Sequence, residues 1–482
     1  MRHGLKLKDG ENTTRLGEIC SGSLHSSTDN GVHLVPQPSG HSEDLLSWSF
    51  SRKLRLILIT CLAAFAGNVA ALSGQEAYPV QAGLYKVAIL EASYSVAAAI
   101  SGLATGAIFC LPLARIFGRW SITFWSLVGS LACAIWSARR TSESDYLKFI
   151  MSRLLSGLFG SVPSAVGGST IFDLFYLHQR GRAFICDQIS VTFGATGGPT
   201  LSGFIAGTTS WTWCFWWTVP LLAITALLVF VLAEDTSFDR EQGKPVHVLE
   251  RPQVATRAII PIAIMLSPIT MLCGLFTLVV FGWLLINDVL LPTFLQNPIE
   301  QGGWVAVIIA QLIGMVANDG LPLWICKRYY NGIWRPELRL YTMTITMIFC
   351  PIGLGICGVA LQHHDHYMVF AVGYFVTAFS VLVCVPVAVN YIAESFSHYA
   401  AECTLIMTFY RLSWGVAVSF FISQWIDEVG INWVYGTAAL ITIVAYSFIC
   451  ALLWKGPVRR TKSLIRGLAS SEEGQRLFTT GI

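Results

Sequence analysis

The chain has 482 residues, 54% of them hydrophobic and 12% charged, with a net charge of +3 and a mean hydropathy of +0.60. Soluble domains carry about 25% charged residues, so a water-facing globule is excluded and a bilayer, which needs no charged surface, is implied. The small net charge is dispersed between apolar runs, which excludes nucleic acid as a partner and leaves the lipid.

Residues 1–50 are polar, and residues 21–45 are rich in Ser, Gly, His and Asn, the composition of a disordered tail. No short apolar stretch with a small-residue cleavage site occurs there, so no removable signal peptide is expected. A cytoplasmic position would leave the Asn12-Thr13-Thr14 sequon unmodified.

Twelve apolar runs follow, each near the roughly 20 residues that a spanning helix requires. They cover 54–74, 88–114, 119–138, 146–171, 183–207, 211–233, 266–292, 303–325, 338–361, 367–393, 402–425 and 431–454. The longest polar break, 234–257, separates a six-helix half (51–233) from a second (258–454), with a tail at 455–482. The predicted class is an all-α integral membrane protein of twelve transmembrane helices. Lys and Arg decide its direction: with the N-terminus inside, inner segments hold twenty and outer segments four. Both termini are therefore expected in the cytoplasm.

SVPSAVGGSTIFDLF (161–175) in the fourth run resembles CVPVAVNYIAESF (384–396) in the tenth. The two runs are six apart and parallel, as in transporters built from two parallel halves; chance between two apolar helices is the other reading. Most of the thirteen cysteines lie inside apolar runs without metal spacing, so free thiols are expected. No HExxH, GxSxG or Walker loop is present. The chain is read as a transporter, not an enzyme, with no cofactor and no ATP-driven step of its own.

Charges inside a span cost about 2.5–3.5 kcal/mol even on a lenient scale and normally face protein or a water path. Arg153 is one: it either snorkels to the outer surface or supplies a fixed positive charge that tunes an acid or holds an anion. Arg411 either pairs with Glu394 or Glu402, or takes part in transport. Proton coupling needs a group that loads and unloads; Asp288 and Asp319 lead, with Asp187 and Glu91 behind, and simple solvation is the alternative for each. Asn68, Gln188 and Gln311 offer uncharged polar contacts. Tyr94, Phe193, Tyr374, Tyr410 and Trp414 either line an aromatic substrate cavity or merely pack.

Several stretches then match one family. In LPLARIFGRW (111–120), Gly118 and Arg119 match the signature G-x-x-x-D-R-x-G-R-R, with Arg115 at its acid position. Arg153, Gly157 and Gly160 match R-x-x-x-G-x-x-G. In FGATGGPTLSGF (193–204), Gly194, Gly198, Pro199 and Gly203 match G-x-x-x-G-P-x-x-G-G, with Ser202 replacing one glycine. FYLHQRGRA (175–183) and NGIWRPELRLY (331–341) are similar to loops of fungal members. On these residues, over about 50–455, the chain resembles the major facilitator superfamily, and within it the fungal form of the twelve-spanner drug:proton antiporter family.

The resemblance implies the major facilitator fold, a proton-coupling role for Arg153, and a gating loop at Arg115, Gly118 and Arg119. It also implies that the glycine-rich fifth span marks an exporter; by its own residues, with Gly194, Gly198 and Ser202 on one face and Pro199 near the middle, that span is either a bent hinge between the halves or a plain packing helix. The expected activity is antiport of protons against small organic molecules such as drugs, toxins or secondary metabolites, by a monomer in the plasma membrane or the vacuolar membrane. An inward proton supplies about 2.3 kcal/mol per 100 mV. The alternatives are an uptake symporter for a polyamine or another organic cation, and a transporter-like sensor. Arg153→Ala is expected to abolish export while surface protein is retained.

Overall fold

The computed structural model describes residues 28–29, 32–33, 48–175, 177–233, 238–239, 244–245, 261–294, 309–310, 313, 321–322, 324–325, 328–329, 337–363, 366–396 and 400–461. Two antiparallel ladders of two residues each occur: Thr28–Asp29 (β1) with Val32–His33 (β2), and Phe238–Asp239 (β3) with Lys244–Pro245 (β4). Most of the other described residues are helical. The long helices are α1 Phe50–Leu72, α2 Ile89–Phe117, α3 Arg119–Ala138, α4 Tyr146–Leu174, α5 Leu177–Thr208, α6 Thr218–Leu232, α7 Pro268–Phe294, α8 Met343–His363, α9 Tyr367–Ser395, α10 Ala400–Ser419 and α11 Ile431–Thr461.

Among the described residues, eight helical segments are long and apolar enough to cross a membrane. They correspond to the predicted spans one, three, four, six, seven, nine, ten and twelve. Spans two, five and eleven are present as the helices α2, α5 and α10 but are not among the eight. α2 packs on α4 and α10, α5 packs on α1, and α10 packs on α2, α4 and α7. Most of span eight lies outside the described residues.

Two predicted loops are shorter than expected. The segment 111–120 is helical on both sides of one residue, Gly118, whose φ of 87° and ψ of 147° turn α2 into α3. That backbone region is essentially reserved for glycine. Likewise α5 begins at Leu177, inside the predicted 175–183 loop. Its first turns are polar, and Gln and Arg are good helix formers, so the helix starts before the apolar pattern does.

The two halves pack alike. α1 contacts α4, α5 and α6, and α7 contacts α9, α10 and α11 in the same way. α3 contacts α4 and α6, while α8 contacts α9 and α11. α4 and α9 are each 29 residues long with an internal proline, Pro163 and Pro386, at matched places in the sequence repeat. Neighbouring groups must re-satisfy the carbonyl that each proline frees, which buried protein surroundings allow. The halves meet where α10 lies on α2 and α4 and where α9 touches α5. At this seam Leu285 and Leu412 of the second half share an apolar cluster with Val96, Ile100 and Leu103 of the first.

Candidate functional site

The site begins with α4, which is wedged between two helices by two glycines. Residues three apart on a helix point about 60° from one another. Gly157 turns toward α2, where an added Cβ would overlap the carbonyl of Ala99. Gly160 turns toward α1, where a Cβ would lie 2.5 Å from the Gly67 carbonyl oxygen, and Gly67 reciprocates at the same distance. The R-x-x-x-G-x-x-G spacing is thus the spacing of a three-helix contact.

Arg153, one turn earlier, is buried and donates from Nη2 to the Ala71 carbonyl at 2.6 Å and from Nη1 to that of Ala70 at 3.4 Å. Ser156 Oγ also donates to Ala70, at 3.2 Å. These carbonyls belong to the last turn of α1, whose acceptors have no partner in their own helix and whose end carries partial negative charge. The Phe215 ring covers the guanidinium at 5.1 Å. Arg153 therefore does not snorkel. Among the described residues it also meets no carboxylate; its charge is matched by a helix end.

The antiporter-signature face of α5 packs along α1 in a four-residue register. Gly194 faces Phe65, with an added Cβ 2.7 Å from the Phe65 carbonyl oxygen, and Gly198 faces Val69 at 3.2 Å. One turn on, Ser202 reaches the end of α1. Its hydroxyl accepts from Gly74 N at 3.0 Å and lies 2.8 Å from Ser73 Oγ. Ser73 in turn donates to the Cys214 carbonyl at 2.6 Å. The face of Gly194, Gly198 and Ser202 is thus a contact within the first half; the expected hinge between halves is not what this face forms. Pro199 lies inside α5, and Gly203 is buried beside it.

The seam holds the other charged candidates. Asp187, on the first part of α5, is fully buried. Its Oδ1 has no hydrogen-bond partner, and its Oδ2 accepts from Gln188 Nε2 at 3.4 Å. Gln188 Oε1 accepts from Arg411 Nη1 of α10 at 3.2 Å. Arg411 is buried, its Nε has no partner, and its guanidinium lies 4.9 Å over the Phe281 ring of α7. Arg411 pairs with neither Glu394 nor Glu402; Glu394 instead accepts from Arg339 Nε at 2.8 Å in a largely buried ion pair.

Two adjacent glycines on α4 make room for this arrangement. A Cβ on Gly167 would lie 2.7 Å from Asp187 Oδ1 and 2.8 Å from Thr60 Cγ2 of α1. A Cβ on Gly168 would lie 2.7 Å from Thr404 Cγ2, on α10 of the opposite half. In the repeat these positions are Asn390 and Tyr391, so the two halves differ where the carboxyl is housed.

The remaining candidates are dispersed. Asn68 donates back to Ala64 of its own helix at 2.8 Å. Phe193, 39% exposed, stacks on Phe65 at 5.4 Å. Tyr94 meets Phe420 across the seam at 5.4 Å. Tyr410 donates to the Met265 carbonyl at 3.0 Å, and Trp414 lies against Trp283 and Gly282. Tyr374 stacks on Phe370 in the core of the second half, away from the others. Glu91 is exposed and accepts from the Ala88 backbone at the start of α2. Asp288 lies in α7 and Arg115 in α2, but their side chains fall outside the described residues, as do Asp319 and Gln311.

A family model described as Major Facilitator Superfamily matches residues 56–418. An uncharacterized transporter of Schizosaccharomyces pombe is 26% identical over 455 residues, covering 86% of this chain and 90% of the relative. The efflux pump radE of Floropilus chiversii is 25% identical over 395 residues, covering 76% of this chain and 73% of the pump. A multidrug transporter of Candida glabrata, TPO1_1, is 23% identical over 419 residues, covering 80% and 73%. The xylose transporter XylE from E. coli has the same fold, with a TM-score of 0.60 at 16% identity, covering 84% of this chain and 98% of that one. The family match, the two similarly packed halves and the α4 and α5 signatures agree, and the chain belongs to the Major Facilitator Superfamily.

Proposed function

We propose that this chain is a proton-coupled exporter of small organic molecules, with twelve spans and both termini in the cytoplasm, working as a monomer in the plasma membrane. The observation that carries the proposal is Asp187. It is a fully buried carboxyl with one free oxygen, on the seam where the halves must move apart, and a guanidinium of the opposite half lies within electrostatic reach. Such a group takes up a proton in one state of the carrier and yields it in the other. Asp288 and Asp319 are the second candidates for the same task. Arg153 contributes by holding the end of α1.

The outward direction is supported by the signature on α5 and by relatives named as an efflux pump and a multidrug transporter. Aromatic faces at Phe193, Phe65 and Tyr94 suit apolar or cationic molecules. The test uses proteoliposomes with an imposed pH gradient and three probes: rhodamine 6G, Nile red and fluorescein. One or more should accumulate against its gradient, opposite to proton flow, and a protonophore should abolish this. Asp187→Asn should lose it. No gradient-dependent movement of any probe would overturn proton coupling, and movement in the direction of the protons would overturn export.

A further inference from the structure

Asp187 and Arg411 are opposite charges on opposite halves, yet they do not touch. Gln188 stands between them. A carboxylate only accepts hydrogen bonds and a guanidinium only donates them. A side-chain amide is therefore the bridge that fits, and only one way round: nitrogen toward Asp187, oxygen toward Arg411, as observed. The bridge joins α5 of the first half to α10 of the second, beside the point where Gly168 lets α10 approach α4.

Among the described residues, Asp187 has few other neighbours that answer to charge. Cys61 of α1 and Cys186 on its own helix lie within electrostatic reach, as does Arg411 of α10. α1 also presents Thr60, and α4 presents Gly167. Hydrogen bonds to an ionised partner are roughly twice as strong as neutral ones. Charging Asp187 thus strengthens the chain Asp187–Gln188–Arg411. A proton on Asp187 removes the ionic assistance from the first bond and the balancing charge from Arg411.

We infer that Gln188 is a positioning residue that ties the two halves of the empty carrier together while Asp187 is charged and releases them when Asp187 is protonated, so that the empty carrier returns only with a proton, whereas bound substrate opens the tie for its own passage. This rests on the proton-coupled export reading above. It goes further by naming what couples the proton to the movement. Without the tie, the empty carrier returns unprotonated, and the protein becomes a passive pathway for its substrate.

The experiment compares wild type and Gln188→Ala in proteoliposomes, with whichever of rhodamine 6G, Nile red and fluorescein the wild type accumulates. Two rates are measured: downhill flux without a pH gradient, and uphill accumulation with one. Gln188→Ala should keep downhill flux and lose accumulation about tenfold, the ratio that corresponds to one net hydrogen bond of about 1.4 kcal/mol. Full accumulation by the variant overturns the inference. Equal loss of both rates with normal folded protein also overturns it, because Gln188 would then serve substrate passage or packing. If Gln188→Ala is not recovered folded, Gln188→Met, similar in volume but lacking both amide groups, is read by the same criteria. Failure of the wild type to accumulate any probe counts against the export reading itself and is thereby distinguished.

Discussion

Ser202 should hold the end of α1 in place, although the family signature has glycine at that position. Its contribution follows from proton bookkeeping. Ser73 has one hydroxyl proton and gives it to the Cys214 carbonyl at 2.6 Å. Ser202 must therefore donate to Ser73 Oγ at 2.8 Å, and it accepts from Gly74 N at 3.0 Å with its own lone pair. Gly74 has a φ of 78°, the left-handed turn that ends α1, and the Phe215 ring packs against it. Ser202→Ala leaves that N–H without its acceptor in a buried setting, at a cost of about 1–3 kcal/mol.

The control is Thr196→Ala on the same helix. Thr196 Oγ1 bonds only to the Thr192 carbonyl one turn back, at 3.0 Å. That carbonyl already serves the helix, so its loss should cost about 0.5 kcal/mol or less. Thermal unfolding of the purified proteins in one detergent should rank wild type and Thr196→Ala together and Ser202→Ala clearly below. Ser202→Gly, which restores the family residue, should be no better than Ser202→Ala. Equal melting of Ser202→Ala and Thr196→Ala would refute the assignment of Ser202 as the anchor of α1.

Other consequences follow from neighbouring geometry. The α5 glycines should differ on substitution by alanine: Gly197, with 3.5 Å to the Phe193 ring, should tolerate it, Gly198 at 3.2 Å should be intermediate, and Gly194 at 2.7 Å should lose about 1–3 kcal/mol by overpacking, read as melting temperature. Gly118→Ala meets no neighbouring atom but must adopt φ 87°, so about 1–3 kcal/mol of purely backbone cost should appear; an unchanged melting temperature would show that the α2–α3 turn has another conformation. Arg153→Ala should lower the yield of folded protein together with export, because it strips the end of α1. Normal surface protein with no export would instead assign Arg153 a coupling role. Glu394→Gln should weaken the tie to Arg339, in the helical turn Glu337–Leu340 just ahead of α8, measured as a lower melting temperature than that of Glu91→Gln at the exposed start of α2.

The sequence displays the parts of this protein that answer to the bilayer and hides those that answer to other helices. Apolar length alone locates α1, α3 and α4 to within a few residues, because lipid imposes the pattern from outside. The same rule places α5 only through its signature, since its face toward α1 is chosen for closeness and not for apolarity. Periodicity puts Gly194, Gly198 and Ser202 on one face but does not name the helix they meet. That depends on crossing geometry, which no local pattern encodes. Arg153 is conspicuous as a charge in a span, yet its partners are backbone carbonyls, which are invisible in side-chain letters. Gly167 and Gly168 had a legible trace: they stand where the repeat has Asn390 and Tyr391. The aligned stretch is kept at Val162, Pro163, Ala165 and Val166 and departs from Gly167 onward, which marks a place where the halves have different tasks. Here the first half gives up two side chains, one to house a carboxyl and one to admit the opposite half. Placing both at adjacent positions on one helix couples them. Any movement of α10 away from Gly168 carries Arg411 with it, and so changes the electrostatic surroundings of the carboxyl seated against Gly167.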